Sequence, residues 1–310
     1  MPVLDQNQNQ NQTIGSSIAS GAERRFRPRY NTDLFPMLAA SAGGPVVPLP
    51  PYPPFHQNWD AELRACMYLD DFLFTMNTSP NPSLKDWRTR YNTEAKNGRT
   101  PPQQMNQATL NGEVMQILQL ALEREDRFAE IIDQDDGDGA INYWQGMLKV
   151  DPARHPNTYL MLRVGRRIGE HVVMCLKGDF HCPRPSQLCP SIVPMIDPPV
   201  TPSFPAGHAV QAYLMSYLLA YSLPKIPQQP SLPNNPTYPP PANGGPLFDL
   251  AERVSENRIV AGIHYPVDIE AGKAVAVALF KDLRSVPSIW MNSGNTALNR
   301  LVKREFRQYA

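Results

Sequence analysis

Thirty-four of the 310 residues are proline, against an ordinary usage of about 5%, and this constrains the fold more than any other feature. Proline has no backbone N–H to give to a sheet ladder, and its ring clashes with the preceding turn of a helix. A chain so punctuated needs long irregular connections between its elements. Two runs concentrate the effect: "GGPVVPLPPYPPFHQ" (43–57), a polyproline-like strap, and "PKIPQQPSLPNNPTYPPPANGGP" (224–246), an insert. Between the prolines, apolar residues recur with helical spacing and few stretches alternate with period two, which predicts an all-α fold.

The expected helices follow from that periodicity. One begins after Asn58 as cap, with Leu63, Cys66, Met67, Leu69, Phe72, Leu73 and Met76 as its apolar positions. Another spans 110–133, and a third runs from Asn157 to Leu176, ending where Lys177 and Gly178 give a cationic last turn and a terminal glycine. Three more are expected at 206–223, 248–262 and 266–283. Residues 1–30, rich in Gln, Asn and Ser, read as a tail. Residues 31–310 read as one helical domain, with 31–150 supplying helices and the strap and 157–285 forming a bundle.

Several functions are excluded or disfavoured. Lys+Arg and Asp+Glu are 29 each, so net charge is zero and no basic block invites nucleic acid. The longest apolar stretch, 209–223, is too short to span a bilayer and reads as a buried core helix. The N-terminus carries no basic segment followed by an apolar core, so a soluble, cytoplasmic protein with reduced thiols at Cys66, Cys175, Cys182 and Cys189 is expected. Those cysteines lack the close spacing of zinc ligands. "DQDDGDGA" (133–140) places Trp144 where a calcium loop needs its last carboxylate, so it reads as a solvated acidic turn.

Chemistry concentrates between residues 177 and 268. Lys177 precedes Arg184-Pro185; Pro205-Ala206-Gly207-His208 opens a helix; Asn257-Arg258 precedes His264, with Asp268 four positions on. Each segment alone is commonplace. Together they describe a site for a tetrahedral oxyanion. Arg184 and Arg258 each offer a bidentate fork, and Lys177 adds a point charge. The helix beginning at Ala206 directs free N–H groups and its positive end at the same spot, with Gly207 allowing close approach. A neutral imidazole can attack phosphorus or ligate a metal-oxo centre, and a charged one can donate a proton. Asp268 at i+4 can hold one nitrogen of His264, and Pro266 is expected to force the turn that frees His264 from the preceding helix.

These residues resemble the superfamily that unites type-2 phosphatidic-acid phosphatases, bacterial acid phosphatases and vanadium-dependent haloperoxidases. Its signature is K-x6-RP, then PSGH, then SR-x5-H; here the parts read "KGDFHCPRP", "PAGH" and "NRIVAGIH", in the same order. The resemblance covers the motifs and their helical flanks, not the first 140 residues. It implies a helical bundle of the acid phosphatase/vanadium haloperoxidase type, here with long proline-rich loops. It also implies that Lys177, Arg184, Arg258 and the Gly207 amide bind the oxyanion, His208 is the general acid, His264 is the nucleophile or vanadium ligand, and Asp268 orients it. Two positions depart from the pattern. Ala206 and Asn257 stand where the signature has serine. A lost hydroxyl donor to a charged oxygen costs on the order of 1.5–3 kcal/mol, which predicts a weakened site.

Three functions stay open on the sequence. One is a phosphoester or diphosphate hydrolase working through a phosphohistidine, with no cofactor. The second is a haloperoxidase that binds vanadate in the same pocket and uses halide and peroxide. The third is a repurposed member, acting on an isoprenoid diphosphate or only binding an oxyanion. Helical members of such families often pair as homodimers, but no surface of this sequence specifies an interface. The insert 224–246 lies between the second and third motifs and reads as a passive surface loop, with a lid or substrate wall at the pocket mouth as the alternative; Tyr143, Trp144, Phe180 and Phe204 each read as core residues, with a substrate wall as the alternative.

Overall fold

A computed structural model describes residues 59–135, 137–223, 245–290 and 297–307, all within one compact unit. The tail, the strap and residues 224–244 of the insert, with the lid reading attached to them, lie outside the described residues. The described residues contain helices and no strand. In chain order these are α1 (Ala61–Thr78), α2 (Pro82–Lys85), α3 (Trp87–Lys96), α4 (Gln107–Leu120), α5 (Arg124–Asp135), α6 (Gly139–Leu148), α7 (Pro156–Phe180), α8 (Pro185–Leu188), α9 (Gly207–Ser222), α10 (Pro246–Val260), α11 (Pro266–Leu283) and α12 (Leu298–Arg307).

The centre is α9. Ala209, Val210, Ala212, Tyr213, Leu214, Met215, Tyr217, Leu218 and Leu219 are all buried, on every side of the helix. A helix apolar all round must be covered all round, and α7, α10 and α11 pack around this one. The earlier helices are part of the same core, with α1 against α7 and α3 against α11. No helix among the described residues is long and apolar enough to cross a membrane.

The sequence expectations need several corrections. The first helix starts later, and its cap is Asp60, whose carboxylate accepts from the Glu62 N–H. Leu63 and Met67 face solvent, because α1 buries the narrower stripe of Ala65, Phe72 and Met76. The continuous helix at 110–133 is two helices broken by a 3-10 turn at Ala121–Glu123. The helix expected to end at Gly178 continues to Phe180, and the left-handed residue that closes it is His181, with φ 53°. α3 and α6 carried no clear apolar period and were not anticipated. The turn before His264 comes from Gly262, whose φ of 81° belongs to the left-handed region, while Pro266 merely begins α11.

Gly272 fixes how close α11 comes to the start of α9. A Cβ there would lie 2.8 Å from the Ala206 carbonyl oxygen and 2.8 Å from the Ala209 Cβ. Those neighbours are a backbone atom and a Cβ, which no rotamer change can move. Gly272→Ala is therefore expected to cost about 1–3 kcal/mol of stability by overpacking and to displace the Gly207–His208 turn. Urea unfolding alongside an anion-binding titration checks it, and a variant as stable as the parent refutes the tight contact.

Candidate active site

Five positions named from the sequence form one contiguous cluster. His264, 3% exposed, follows the Gly262 turn, and its Nδ1 lies 3.0 Å from Asp268 Oδ2. Its Nε2 lies 2.9 Å from a terminal nitrogen (NH1) of Arg184. A guanidinium can only donate, so Nε2 holds the lone pair and Nδ1 carries the proton given to Asp268. Asp268, fully buried at the first turn of α11, also accepts the Tyr265 N–H at 2.9 Å and the Ser203 hydroxyl on the same Oδ2. Its backbone carbonyl accepts from the Ala206 N–H at 2.9 Å, which ties the start of α9 to this aspartate.

The cations are held by backbone carbonyls. Arg184 donates from Nε to Thr201 O at 2.9 Å and from NH1 to Ile263 O at 2.8 Å. Lys177, on the last turn of α7, donates to the carbonyls of Pro202 and Ser203. The segment 201–203 thus links the first two motifs before α9 begins.

Arg258 and His208 complete the set from the other side, through α5. Arg258, fully buried, donates to Ile131 O at 3.1 Å and Gln134 Oε1 at 3.2 Å, with Asp135 at 3.4 Å. His208 Nε2 donates to the Gln134 carbonyl at 3.1 Å. Asn257, in place of the signature serine, joins α10 to α5: its Oδ1 accepts from Arg127, and its Nδ2 donates to Glu130 and Gln134. The acidic segment 133–140 is accordingly more than a solvated turn. Its first residues end α5 against the site, and Asp138 pairs with Arg163 and Arg166.

Electrostatics show that the two halves share one neighbourhood. Burial is the main force depressing the His264 imidazole well below its ordinary value, and Arg184, Lys177, His208 and Arg258 each add to it. His208 is pushed down to about 3, by burial first and then by Arg258. Burial lowers Arg184 and Arg258 to about 10, so both stay charged near neutrality. Lys177 is driven well below its usual value by burial and by Arg184. Asp268 is raised to about 6 by burial, against the lowering effect of the Ser203 hydroxyl, the Tyr265 N–H and the nearby cations.

The aromatic candidates fare unevenly. Trp144 is a core residue, fully buried, donating to Ser216 at 3.0 Å; it lines no substrate wall. Phe204 is buried and packs edge-to-face on Phe180, with centroids 4.8 Å apart. Tyr143 lies beside Asp133 and close enough to Arg258 to act on its charge. Ser203, Thr201 and Gln134 escaped the sequence reading. Ser203 sits in "PSFPAGH", one residue ahead of Phe204-Pro205, where a buried hydroxyl in a proline-rich loop is a usable signal. Nothing local marked Gln134. Among the described residues there is no disulfide, and no cluster of His, Cys, Asp and Glu that could hold a metal ion.

Among solved structures, the chain is similar to a transmembrane PAP2-type phosphatidylglycerolphosphate phosphatase from Bacillus subtilis, at 15% identity and a TM-score of 0.26, over 71% of this chain and 92% of that one. No protein-family model matches the sequence, and no curated protein matches it.

Proposed function

We propose that this site hydrolyses a phosphomonoester or diphosphate through a phosphohistidine at His264. The observation that carries the reading is the polarity of one imidazole. Its Nδ1–H is held by a buried carboxylate, and its Nε2 lone pair faces the cations. That is the form in which histidine is a nucleophile.

Arg184 donates to Nε2. An oxyanion takes over that donor and exposes the nitrogen, and Lys177, Arg258 and the Gly207 N–H bind its remaining oxygens. Nε2 then attacks phosphorus as the bond to the leaving oxygen breaks. His208 supplies the proton for that oxygen, and water later cleaves the N–P bond to release phosphate. With no anion present His208 is neutral, because burial and Arg258 hold it at about 3. A bound dianion offsets the cations and raises that value, so His208 becomes a proton donor only once substrate is bound.

Vanadate is also a tetrahedral oxyanion and fits the same donors, with His264 Nε2 as its protein ligand and Lys177, Arg184 and Arg258 around its oxygens; when bound it would supply peroxide activation. Phosphate release from p-nitrophenyl phosphate or an organic diphosphate is expected, with inhibition by vanadate. An acid-labile, alkali-stable phosphoryl label on the protein is expected during turnover. Halide oxidation after vanadate loading, with no phosphate released from any ester, would overturn the hydrolytic reading.

A further inference from the structure

We propose that Thr201, from outside the three motifs, is a positioning residue whose two oxygens lock one edge of the Arg184 guanidinium and so set which edge meets the oxyanion. The inference rests on the oxyanion reading of the site and deepens it.

A guanidinium carries its five N–H donors in one fixed plane. The Arg184 Nε–H goes to the Thr201 carbonyl at 2.9 Å, and the terminal nitrogen Nη2 donates to the Thr201 hydroxyl oxygen at 3.1 Å. Nε and Nη2 share one edge of the plane, so a single residue grips that edge at both ends. The other terminal nitrogen, Nη1, gives its hydrogens to the Ile263 carbonyl at 2.8 Å and to His264 Nε2 at 2.9 Å. Four donors are thereby placed. The remaining hydrogen of Nη2 lies on the Nη1 side, the edge that reaches the proposed nucleophile.

Local sequence suits Thr201 to this grip. It precedes Pro202, and a residue before proline is kept out of helical backbone. Its branched Cβ restricts χ1. The carbonyl and the hydroxyl therefore have few relative positions open to them, and the pair is set to meet a planar fork. The next two residues extend the tie. The Pro202 and Ser203 carbonyls accept from Lys177, and the Ser203 hydroxyl donates to Asp268.

The kind of partner matters as much as its place. The Thr201 carbonyl, the Thr201 hydroxyl and the Ile263 carbonyl are uncharged, and burial and the surrounding cations hold the His264 imidazole neutral. Such acceptors orient Arg184 and leave its charge for an anion. A carboxylate at position 201 would orient the same fork and also occupy it.

The test uses the full chain, with orthovanadate and inorganic phosphate as probes, and the variants Thr201→Val, Thr201→Ser and Arg184→Ala. Thr201→Val keeps the branched shape and the backbone carbonyl but loses the hydroxyl acceptor. It is expected to weaken vanadate and phosphate binding roughly tenfold. Thr201→Ser keeps both acceptors and is expected to bind within about threefold of the parent, a recovery that shape alone would not produce. Thr201 is only half-buried, and urea unfolding of each variant measures any loss of stability separately from the loss of binding. In protein labelled with 15N-arginine, the two terminal nitrogens of Arg184 are expected to give separate signals, because the grip hinders rotation about Nε–Cζ. Exchange between those signals is expected to quicken severalfold in Thr201→Val and not in Thr201→Ser. Parental affinity in Thr201→Val, or equal losses in Thr201→Val and Thr201→Ser, overturns the proposal. If Arg184→Ala still abolishes binding, the oxyanion reading survives that failure. Full vanadate binding in Arg184→Ala would sink the oxyanion reading itself.

Discussion

His264→Ala is expected to reduce phosphate release by at least a thousandfold, because the variant removes the nucleophile of the proposed mechanism. The fold should tolerate the loss. Asp268 Oδ2 keeps the Ser203 hydroxyl and the Tyr265 N–H, and Arg184 keeps the Ile263 carbonyl. Phosphate affinity should fall by no more than about tenfold, since Lys177, Arg184 and Arg258 remain. Asp268→Asn makes the complementary case: it preserves shape, but an amide can turn its N–H toward Nδ1 and so shift the proton to Nε2, where it blocks attack. Its kcat should collapse while phosphate binding persists. Steady-state kinetics with phosphate titrations measure both, and near-normal turnover in His264→Ala would remove the nucleophile assignment.

The second large effect is acid lability. His208, at about 3 when folded, has an ordinary value of 6.5 when unfolded, and His264 is also depressed. Between those values the unfolded chain binds protons that the folded one refuses, so stability falls as pH drops from about 6.5 toward 3. Asp268 acts in the opposite sense. It is about 6 when folded and 3.8 when unfolded, so its contribution is lost as pH rises across that interval. Two imidazoles outweigh one carboxyl, and at about 1.4 kcal/mol per pH unit for each the net loss is a few kcal/mol. Chemical denaturation at pH 7 and pH 4.5 should show this loss, and His208→Gln should flatten the slope. Equal slopes for the variant and the parent would show that His208 titrates normally. Saturating phosphate should narrow the pH dependence, because its charge raises both imidazoles.

Residue type and spacing made much of this protein legible. Lys177, Arg184, His208, Arg258, His264 and Asp268 were recognisable because their chemistry is local to short motifs, and Asp268 could be paired with His264 because four residues is a hydrogen-bonding step. The helices at 206–223 and 266–283 were equally plain, each being an uninterrupted apolar pattern opened by proline or a cap. The break at Ala121–Glu123 was not, because a 3-10 turn preserves apolar spacing across it. Nor was the end of α7, since a glycine inside a helix looks the same in sequence as one that ends it.

What the chain alone determines is therefore the set of charged groups and the helices that carry them, both properties of contiguous residues. The tertiary structure decided which partners those groups take. Asn257 and Arg258 are bound by residues more than 120 positions earlier on α5, and the sequence of α5, an ordinary acidic helix, gives no sign of it. Hydrogen-bond polarity between distant segments depends on how helices pack, and no local pattern encodes that. The contact of His208 with the Gln134 carbonyl came into view only once α5 was seen closing against the start of α9.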